Sequence, residues 1–345
     1  TAISHPVVCS GQTGVNTRRI LVWNSVSTVF VSIDMQRIII GMLWNACKRT
    51  IENEDKAMYH VDNAVIMAAG TSSRFAPLSY ERPKGLITVK GEVLIERQIR
   101  QLKESGINDI TVVTGYKAKE FQYLKGKFGI QLVNNPYYNT RNNNASIKVV
   151  ENILSNTYIC SADNYFSQNP FEREVDSAYY AAVYSNGPTN EWCMETDSDG
   201  WIRKVTIGGE NAWYMLGHTF WDERFSSAFR AILDEVYDEP ETSKKLWEDI
   251  YIEHLDHLSM KIRKYPADYI FEFDTLDELR IFDKSYINNT HSRILKDLAS
   301  KLGVTEADIV HINCLKDAKS TEAIGFTFDV SGHHYSYLYD GGLRD

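Results

Sequence analysis

The sequence has few cysteines, and none belongs to a recognisable motif. Five cysteines are spread over 345 residues, at positions 9, 47, 160, 193 and 314. Disulfide frameworks and zinc sites need cysteines at short, regular spacings. The spacing therefore argues against both, and it is typical of reduced thiols in a cytoplasmic protein.

Net positive charge and long apolar runs are also lacking. The formal net charge is -9 at neutral pH, whereas binding to nucleic acid or to an anionic membrane surface needs a basic surface. The most apolar region, residues 20–44, is interrupted by Asp34 and Arg37, and it is not the ~20-residue uncharged run of a spanning helix. We predict a protein that neither binds nucleic acid nor inserts into a membrane.

A stretch of small residues follows the apolar run at residues 64–67, and its sequence is Ala68-Ala69-Gly70-Thr71-Ser72-Ser73-Arg74-Phe75-Ala76-Pro77-Leu78-Ser79-Tyr80-Glu81-Arg82-Pro83-Lys84. Small residues leave backbone N–H groups uncovered, so that these groups can donate to phosphate oxygens. Arg74 can bind an oxyanion through two parallel donors, and Lys84 carries a compact charge. We therefore predict nucleotide binding at Ala68, Ala69, Gly70 and Thr71, with Arg74 and Lys84 binding the nucleotide and acting in catalysis.

Strand and helix patterns alternate from residue 63 to about residue 283, which predicts an α/β fold with a Rossmann-like, mainly parallel sheet flanked by helices. Short apolar segments at 65–69, 109–114, 130–133 and 158–162 are the predicted parallel strands. Four further β-like segments, at 178–184, 191–196, 201–207 and 213–221, predict an antiparallel subregion that holds a second substrate.

Asp163 directly follows the predicted strand at 158–162. Ligands of open α/β sheets bind at the carboxyl ends of the strands, so Asp163 is predicted to be a Mg²⁺ ligand and part of the catalytic site. The alternative is a turn or helix-capping role, which the sequence Asp163-Asn164 also suits.

Aromatic residues are concentrated beyond residue 190, at Trp192, Trp201, Trp213, Tyr214, Phe220, Trp221 and Trp247. Packing in the core and across strands accounts for most residues of this kind. Some of them could instead surround a quaternary ammonium group, which is attracted to ring faces. The sequence leaves both roles open.

Several motifs together carry a resemblance to known enzymes. The stretch at 68–84 resembles the signature loop of nucleotidyltransferases that join a nucleoside triphosphate to a phosphorylated small molecule, with Ser72 or Ser73 where the family has a second glycine. The segments 189–192, 220–222, 246–249 and 271–274 are similar to those of bacterial choline-phosphate cytidylyltransferases, over about residues 62–285. This resemblance implies a fold of the nucleotide-diphospho-sugar transferase type.

The resemblance also implies an activity, which is transfer of CMP from CTP to phosphocholine, with Mg²⁺ as cofactor. The CDP-choline product would feed phospholipid or cell-surface phosphocholine metabolism. The implied acceptor contacts are Glu191, Trp192, Trp221, Asp222 and Trp247; the metal ligands are Asp163 and Asp274; Asn143 lies near the nucleotide. Leu246 departs from the family, some of whose members have a cage tyrosine at this position.

The predicted domain organisation has an unassigned segment at 1–61, a nucleotidyltransferase domain at 62–287 and a tail at 288–345. The tail resembles the beginning of choline kinases, but Ala318-Lys319-Ser320-Thr321 replaces the kinase Gly-x-Thr-Asn motif and no catalytic loop follows. We therefore expect the tail to lack kinase activity and to be dispensable for CMP transfer.

Two other functions remain open at this stage. A sugar-1-phosphate nucleotidyltransferase would share the loop and the carboxylates, but it would need polar side chains where this chain has aromatic ones. A nucleotide-sensing regulatory module would have lost turnover, although Lys84, Asp163 and Asp274 are all present. The sequence leaves the oligomeric state open, including a homo-oligomer.

Overall fold

The computed structural model describes residues 58–316 and 322–344, which belong to one compact unit. The predictions for residues 1–57 and for the segment 318–321 lie outside the described residues. Within the described ranges, no helix has the length and apolar character needed to cross a membrane.

The strands, in chain order, are β1 (Tyr59–His60), β2 (Asn63–Ala68), β3 (Thr88–Val89), β4 (Glu92–Val93), β5 (Ile110–Thr114), β6 (Gln131–Asn134), β7 (Thr157–Ser161), β8 (Tyr165–Phe166), β9 (Glu174–Val175), β10 (Tyr179–Tyr184), β11 (Pro188–Thr196), β12 (Ile202–Glu210), β13 (Trp213–Trp221), β14 (Lys261–Lys264), β15 (Ile270–Phe271), β16 (Val310–Lys316), β17 (Ala323–Val330), β18 (His333–Leu338) and β19 (Gly342–Arg344). The α-helices are α1 (Leu78–Glu81), α2 (Leu94–Glu104), α3 (Tyr123–Phe128), α4 (Asn144–Lys148), α5 (Glu223–Val236), α6 (Trp247–Glu253), α7 (Leu276–Phe282), α8 (Ser285–Asn288) and α9 (Arg293–Leu302).

The centre of the fold is a parallel sheet with the strand order β7-β2-β5-β6. The residues of β5 are all buried, as are the first four of β2. Strands covered on both faces have continuous apolar runs rather than alternating ones, which is why the sequence pattern was readable here. The predicted mainly parallel α/β fold is confirmed.

An antiparallel region extends the sheet beyond β7. Strand β13 pairs antiparallel with β7, β11 and β10, and β12 pairs antiparallel with β11 at the outer edge. Strand β14 runs parallel to β10. The carboxyl end of β7 therefore lies between the parallel half of the sheet, formed by β2, β5 and β6, and an antiparallel half.

Three hydrophobic cores hold these layers together. One lies on the face of the sheet covered by α2, and the second lies on the opposite face, under α5 and α6. The third joins Phe75 and Leu78 to Leu295 of α9 and Phe326 of β17. This third core draws on residues from both sides of the predicted domain boundary at 287/288, and that boundary stays a prediction.

Candidate active site

The small-residue loop follows β2 at the carboxyl edge of the parallel sheet. A Cβ atom added at Gly70 would meet no atom within 4 Å, so the backbone there is open. Ser72 has a φ of 47° and a ψ of 44°, a left-handed conformation that glycine adopts without strain. This conformation gives the physical reason why a second glycine suits the signature loop, and it identifies Ser72 as the corresponding residue.

A cavity of about 340 Å³ opens beside this loop. Its lining includes Ala68, Ala69, Gly70, Ser72, Arg74, Lys84, Asn135, Tyr138, Arg141, Asn142, Asn143, Ser161, Asp163 and Leu246. Most of the residues predicted to bind the nucleotide are therefore brought together at one cavity.

Lys84 lies at the centre of a group of carboxylates. Its Nζ is 2.8 Å from Asp163 Oδ2, 3.6 Å from Asp274 Oδ1 and 3.8 Å from Glu272 Oε1. The next residue, Gly85, allows this approach, because a Cβ there would lie 2.9 Å from Ala162 Cβ. A glycine at position 85 thus lets the chain after Lys84 pack directly against the chain before Asp163.

Arg74 is tied to the same group through Asp274, whose Oδ2 is 2.8 Å from Arg74 Nη1. Arg74 is 72% exposed, whereas Lys84 is 5% exposed. The two side chains therefore differ in how freely they can move. Arg74 can turn toward an incoming phosphate, whereas Lys84 is held in place.

The charged side chains of this group shift one another's pKa values. Burial acts to lower the pKa of Lys84, but the carboxylates of Asp163, Glu272 and Asp274 raise it above its usual value. Burial acts to raise the pKa of Asp163, but Lys84 and the Ser161 hydroxyl hold it below its usual range. The negative charge of Asp163 and burial raise the pKa of Glu272 to about 8. At neutral pH the site thus contains an Asp163–Lys84 ion pair beside a largely protonated Glu272.

The donor set also fits the predicted Mg²⁺. Among the described residues, no group of three or more His, Cys, Asp or Glu side chains is arranged to hold a metal by protein ligands alone. Mg²⁺ in phosphate-transferring sites, however, is usually bound through one or two carboxylates together with substrate phosphates. Asp163 and Asp274 both lie within 4 Å of Lys84 Nζ, so these two carboxylates would hold such an ion together with substrate phosphates.

Asn143 links the loop at 142–144 to α6. Its Oδ1 accepts a hydrogen bond from the backbone N–H of Trp247 (2.7 Å), and its Nδ2 donates to Glu248 Oε2 (3.1 Å). Glu248 Oε1 also accepts from the Tyr180 hydroxyl, at 3.3 Å. Burial raises the pKa of Glu248 to about 7. Asn143 thus lies at the cavity, and its side chain links this loop to the start of α6 and, through Glu248, to Tyr180 of β10.

Three of the predicted acceptor contacts lie inside the protein. Trp221 and Trp247 are 0% and 1% exposed, and their rings pack edge-to-face with centroids 5.0 Å apart. Asp222 caps α5 by accepting a hydrogen bond from the backbone N–H of Phe225. The structure gives these residues core and capping roles, and in this arrangement Trp221 and Trp247 have no ring face open to a ligand.

The remaining acceptor residues lie at the surface of the antiparallel half. Glu191 is exposed and Trp192 is partly buried on β11. Tyr214 on β13 lies within electrostatic reach of both Glu191 and Glu272, because burial and then these two carboxylates raise its pKa. Glu272 therefore acts electrostatically on both Lys84 and the antiparallel half.

Glu272, Glu248 and Ser161 are site residues that the sequence analysis did not single out. A signal for Glu272 was present, because in Phe271-Glu272-Phe273-Asp274 the two acidic residues alternate with two apolar ones. Alternation with a period of two places both carboxylates on one face of an extended segment. Glu248 has no such signal, because its partners Tyr180 and Asn143 lie about 70 and 105 residues away and only the fold identifies them. The partner of Ser161 is Asp163, two residues away, but no sequence pattern singles out this serine.

A parallel sheet with an open small-residue loop at its carboxyl edge, a cavity of about 340 Å³ and a buried lysine among carboxylates is typical of α/β enzymes that act on nucleoside phosphates. Residues 64–179 match the model of the MobA-like NTP transferase domain. The chain is 32% identical over 217 residues to choline-phosphate cytidylyltransferase of Streptococcus pneumoniae, covering 63% of this chain and 95% of the relative. The chain belongs to the MobA-like NTP transferase family and is a nucleotidyltransferase.

Two further comparisons support this assignment. The chain is 33% identical over 230 residues to 2-aminoethylphosphonate cytidylyltransferase of Lancefieldella rimae, covering 65% of this chain and 93% of that relative. The solved structure of CTP:phosphocholine cytidylyltransferase from Streptococcus pneumoniae matches with a TM-score of 0.63 at 32% identity, covering 66% of this chain and 99% of that one. The relatives thus share a fold and a nucleotide chemistry, but their acceptors differ.

Proposed function

We propose that this enzyme transfers CMP from CTP to phosphocholine, giving CDP-choline and pyrophosphate. The observation that carries the proposal is the charge pattern of the site, in which the cations Lys84 and Arg74 line the cavity and the exposed Glu191 lies next to Trp192 on β11. An acceptor with an anionic phosphate at one end and a cationic head at the other is complementary to such a site. The similar cytidylyltransferases support CTP as the donor.

The chemistry needs no general base from the protein. The second pKa of a phosphate monoester is about 6, so the acceptor is already an anion at pH 7. One of its oxygens attacks the α-phosphorus of CTP; the new P–O bond forms as the bond to pyrophosphate breaks, and the electron pair leaves with pyrophosphate. Catalysis then consists of positioning the two anions and stabilising charge on the transferred phosphoryl group.

Each residue of the Lys84 group has a part in this scheme. Lys84, held by Asp163, neutralises charge on the α-phosphate, and the exposed Arg74 can leave Asp274 to bind the departing pyrophosphate. The open backbone at Ala69 and Gly70 offers N–H donors to the phosphates. Mg²⁺, held by Asp163 and Asp274 with oxygens of the nucleotide, would supply further charge neutralisation.

For the acceptor head, we propose recognition by Trp192 with help from carboxylates. A trimethylammonium group cannot donate a hydrogen bond, so ring faces and nearby negative charge are what can attract it. Of the three tryptophans among the predicted acceptor contacts, Trp192 is the one that remains partly exposed. The exposed Glu191, next to it on β11, would supply the negative charge.

The second candidate acceptor is 2-aminoethylphosphonate, and the aromatic content of the site favours it. With Trp221 and Trp247 buried in the core and Leu246 lining the cavity, fewer ring faces are available than a full aromatic box would have. A primary ammonium can donate hydrogen bonds to carboxylates and depends less on ring faces. A sugar 1-phosphate has no cationic group to pair with those carboxylates.

A panel assay of pyrophosphate release tests the proposal. Each of CTP, UTP, ATP and dTTP would be combined with phosphocholine, phosphoethanolamine, 2-aminoethylphosphonate or glucose 1-phosphate, with Lys84→Ala as the blank. We expect CTP with phosphocholine to give the highest kcat/KM. A preference for 2-aminoethylphosphonate would move the second candidate ahead, and a preference for glucose 1-phosphate would overturn the charge-pattern argument. No turnover with any pair would favour a nucleotide-sensing role.

A further inference from the structure

The phosphate loop, residues 68–84, packs against the C-terminal part of the chain. Phe75, Ala76 and Leu78 are 2–5% exposed and belong to the third core. The same core contains Leu295 and Leu298 of α9 together with residues of β17. Because packed interiors transmit small displacements, the position of the loop depends on what lies behind it.

Glu81, at the end of α1, makes the most specific of these contacts. Its Oε1 accepts hydrogen bonds from the backbone N–H groups of Arg293 (2.9 Å) and Ile294 (3.2 Å), and its Oε2 is 3.1 Å from the Arg293 nitrogen. These are the first two residues of α9. A carboxylate at a helix N-terminus is stabilised by unpaired N–H groups and the helix dipole. Glu81 precedes Lys84 by three residues, so this contact holds the loop close to its catalytic cation.

A stacked pair of tyrosines makes a second contact. The rings of Tyr80 and Tyr339 lie 3.5 Å apart between centroids, with an angle of 9° between their planes. The Tyr80 carbonyl also accepts a hydrogen bond from Lys117 Nζ. The end of α1 is thus held by Tyr339 from the tail and by Lys117 from the segment that follows β5.

We propose that the described part of the tail, residues 289–316 and 322–344, is a positioning element of the nucleotidyltransferase site, with Glu81 and Tyr339 as the residues through which it fixes the phosphate loop. This part of the tail does not line the cavity. Its effect is to hold Lys84 and the open backbone in place before CTP binds, so that less ordering is needed on binding and in the transition state. This inference replaces the expectation that the tail is dispensable, and it rests on the proposed role of the loop.

The test compares two variants at the same helix end. Ser292 Oγ accepts a hydrogen bond from the Leu295 N–H and caps α9 without touching the loop. Ser292→Ala and Glu81→Ala each remove an acceptor from the first turn of α9, so both should lower Tm by a few degrees. Only Glu81→Ala should reduce kcat/KM for CTP, by about tenfold. Glu81→Gln, which keeps one acceptor oxygen, should recover part of the loss.

The stacked pair provides an independent test. Tyr339→Leu removes the ring that stacks on Tyr80, whereas Tyr335→Leu removes a ring stacked on Phe328 within the tail itself. We expect the KM for CTP to rise several-fold in the first variant alone, since only it loosens the loop. Tyr339→Phe keeps the stack and should match the parent.

The outcomes separate this inference from the proposed function. If Lys84→Ala abolishes activity while Glu81→Ala and Ser292→Ala have equal kinetics, the loop is catalytic and the tail does not position it. If Lys84→Ala is fully active, the proposed role of the loop is itself wrong. If the KM for CTP rises as much in Tyr335→Leu as in Tyr339→Leu, the change is a general effect of lower stability, and the proposal is overturned.

Discussion

The predicted nucleotide side of the site lines the cavity, whereas the predicted acceptor contacts do not, and the two sides differ in how far their side chains are bonded to or packed against the rest of the protein. On the nucleotide side, the backbone at Gly70 is open, and Lys84 and Arg74 are paired with carboxylates. On the acceptor side, Trp221 and Trp247 are enclosed in the core and Asp222 caps a helix. Phosphate charges can compete for the first set, but no ligand can reach the second without displacing packed rings.

This difference indicates where specificity resides. The predicted nucleotide side consists of backbone groups and cations that contact phosphates, and the two cytidylyltransferases to which the chain is similar differ in their acceptors rather than in their nucleotide. The predicted acceptor side has few accessible groups: Glu191 is exposed, and Trp192 and Tyr214 are partly buried. Changes on the nucleotide side should therefore abolish turnover, and changes on the acceptor side should alter substrate preference.

The largest effect is expected for Lys84→Ala, which should lower kcat by about 10² or more, as is typical for loss of one transition-state contact. Lys90→Ala is the matched control, because Lys90 lies over the Phe282 ring and, in the part of the chain that the structure describes, makes no ion pair with Asp163, Glu272 or Asp274. Steady-state pyrophosphate release and thermal unfolding of both variants would be measured. Near-normal turnover in folded Lys84→Ala would remove this residue from the mechanism.

Asp163→Asn should have the next largest effect, roughly ten- to a hundredfold in kcat/KM, with a higher Mg²⁺ requirement. Asparagine keeps the size and can still accept from Ser161, but it discards the charge that holds Lys84 and the metal. Mg²⁺ titrations at fixed CTP measure the requirement. A variant with the parent's Mg²⁺ dependence would contradict the metal assignment.

The sequence was enough to predict that the nucleotide-side residues lie together, because they are contiguous. Ala69, Gly70, Arg74 and Lys84 lie within one short stretch and line one cavity, and the local chain determines both the open backbone and the order of the cations. Asp163 was predicted for a related reason, since the carboxyl end of a buried strand is a position that a pattern of apolar residues identifies. Strands β2, β5 and β7 were readable because nearly all of their residues are buried.

The acceptor side was less predictable because burial is a property of the whole fold. Trp221 lies in a strand and Trp247 begins a helix, and both positions suit either a ligand contact or a core residue. Only the packing of α5 and α6 on the sheet shows that both rings are enclosed. The link between Asn143 and Glu248 spans 105 residues, so no local pattern could have revealed it.

Trp192→Ala tests whether the acceptor side discriminates. Loss of a desolvated cation–π contact costs about 2 kcal/mol, which corresponds to roughly a thirtyfold rise in the KM for phosphocholine. The KM for CTP should stay nearly constant, and the preference for phosphocholine over phosphoethanolamine should narrow. Trp201→Ala is the control, since Trp201 faces Lys261. A change in the KM for CTP instead would place Trp192 on the nucleotide side.

The smallest effect concerns Glu248, which connects the two sides through Asn143 and Tyr180. Burial, with a contribution from the neighbouring Asp249, raises its pKa from 4.5 to about 7. The folded state therefore binds more protons than the unfolded state between about pH 4.5 and pH 7, so this group's contribution to stability is lost as pH rises through that window.

Glu248→Gln should remove this loss. Between pH 5 and pH 7.5 the unfolding free energy of the variant should therefore fall less than that of the parent, by on the order of 1 kcal/mol or more. Urea denaturation at several pH values measures the difference, with Glu253→Gln as a control for a carboxylate that is paired with Lys245 at the surface. Parallel pH profiles for the parent and Glu248→Gln would show that Glu248 is ionised at its usual pKa and does not couple the two sides.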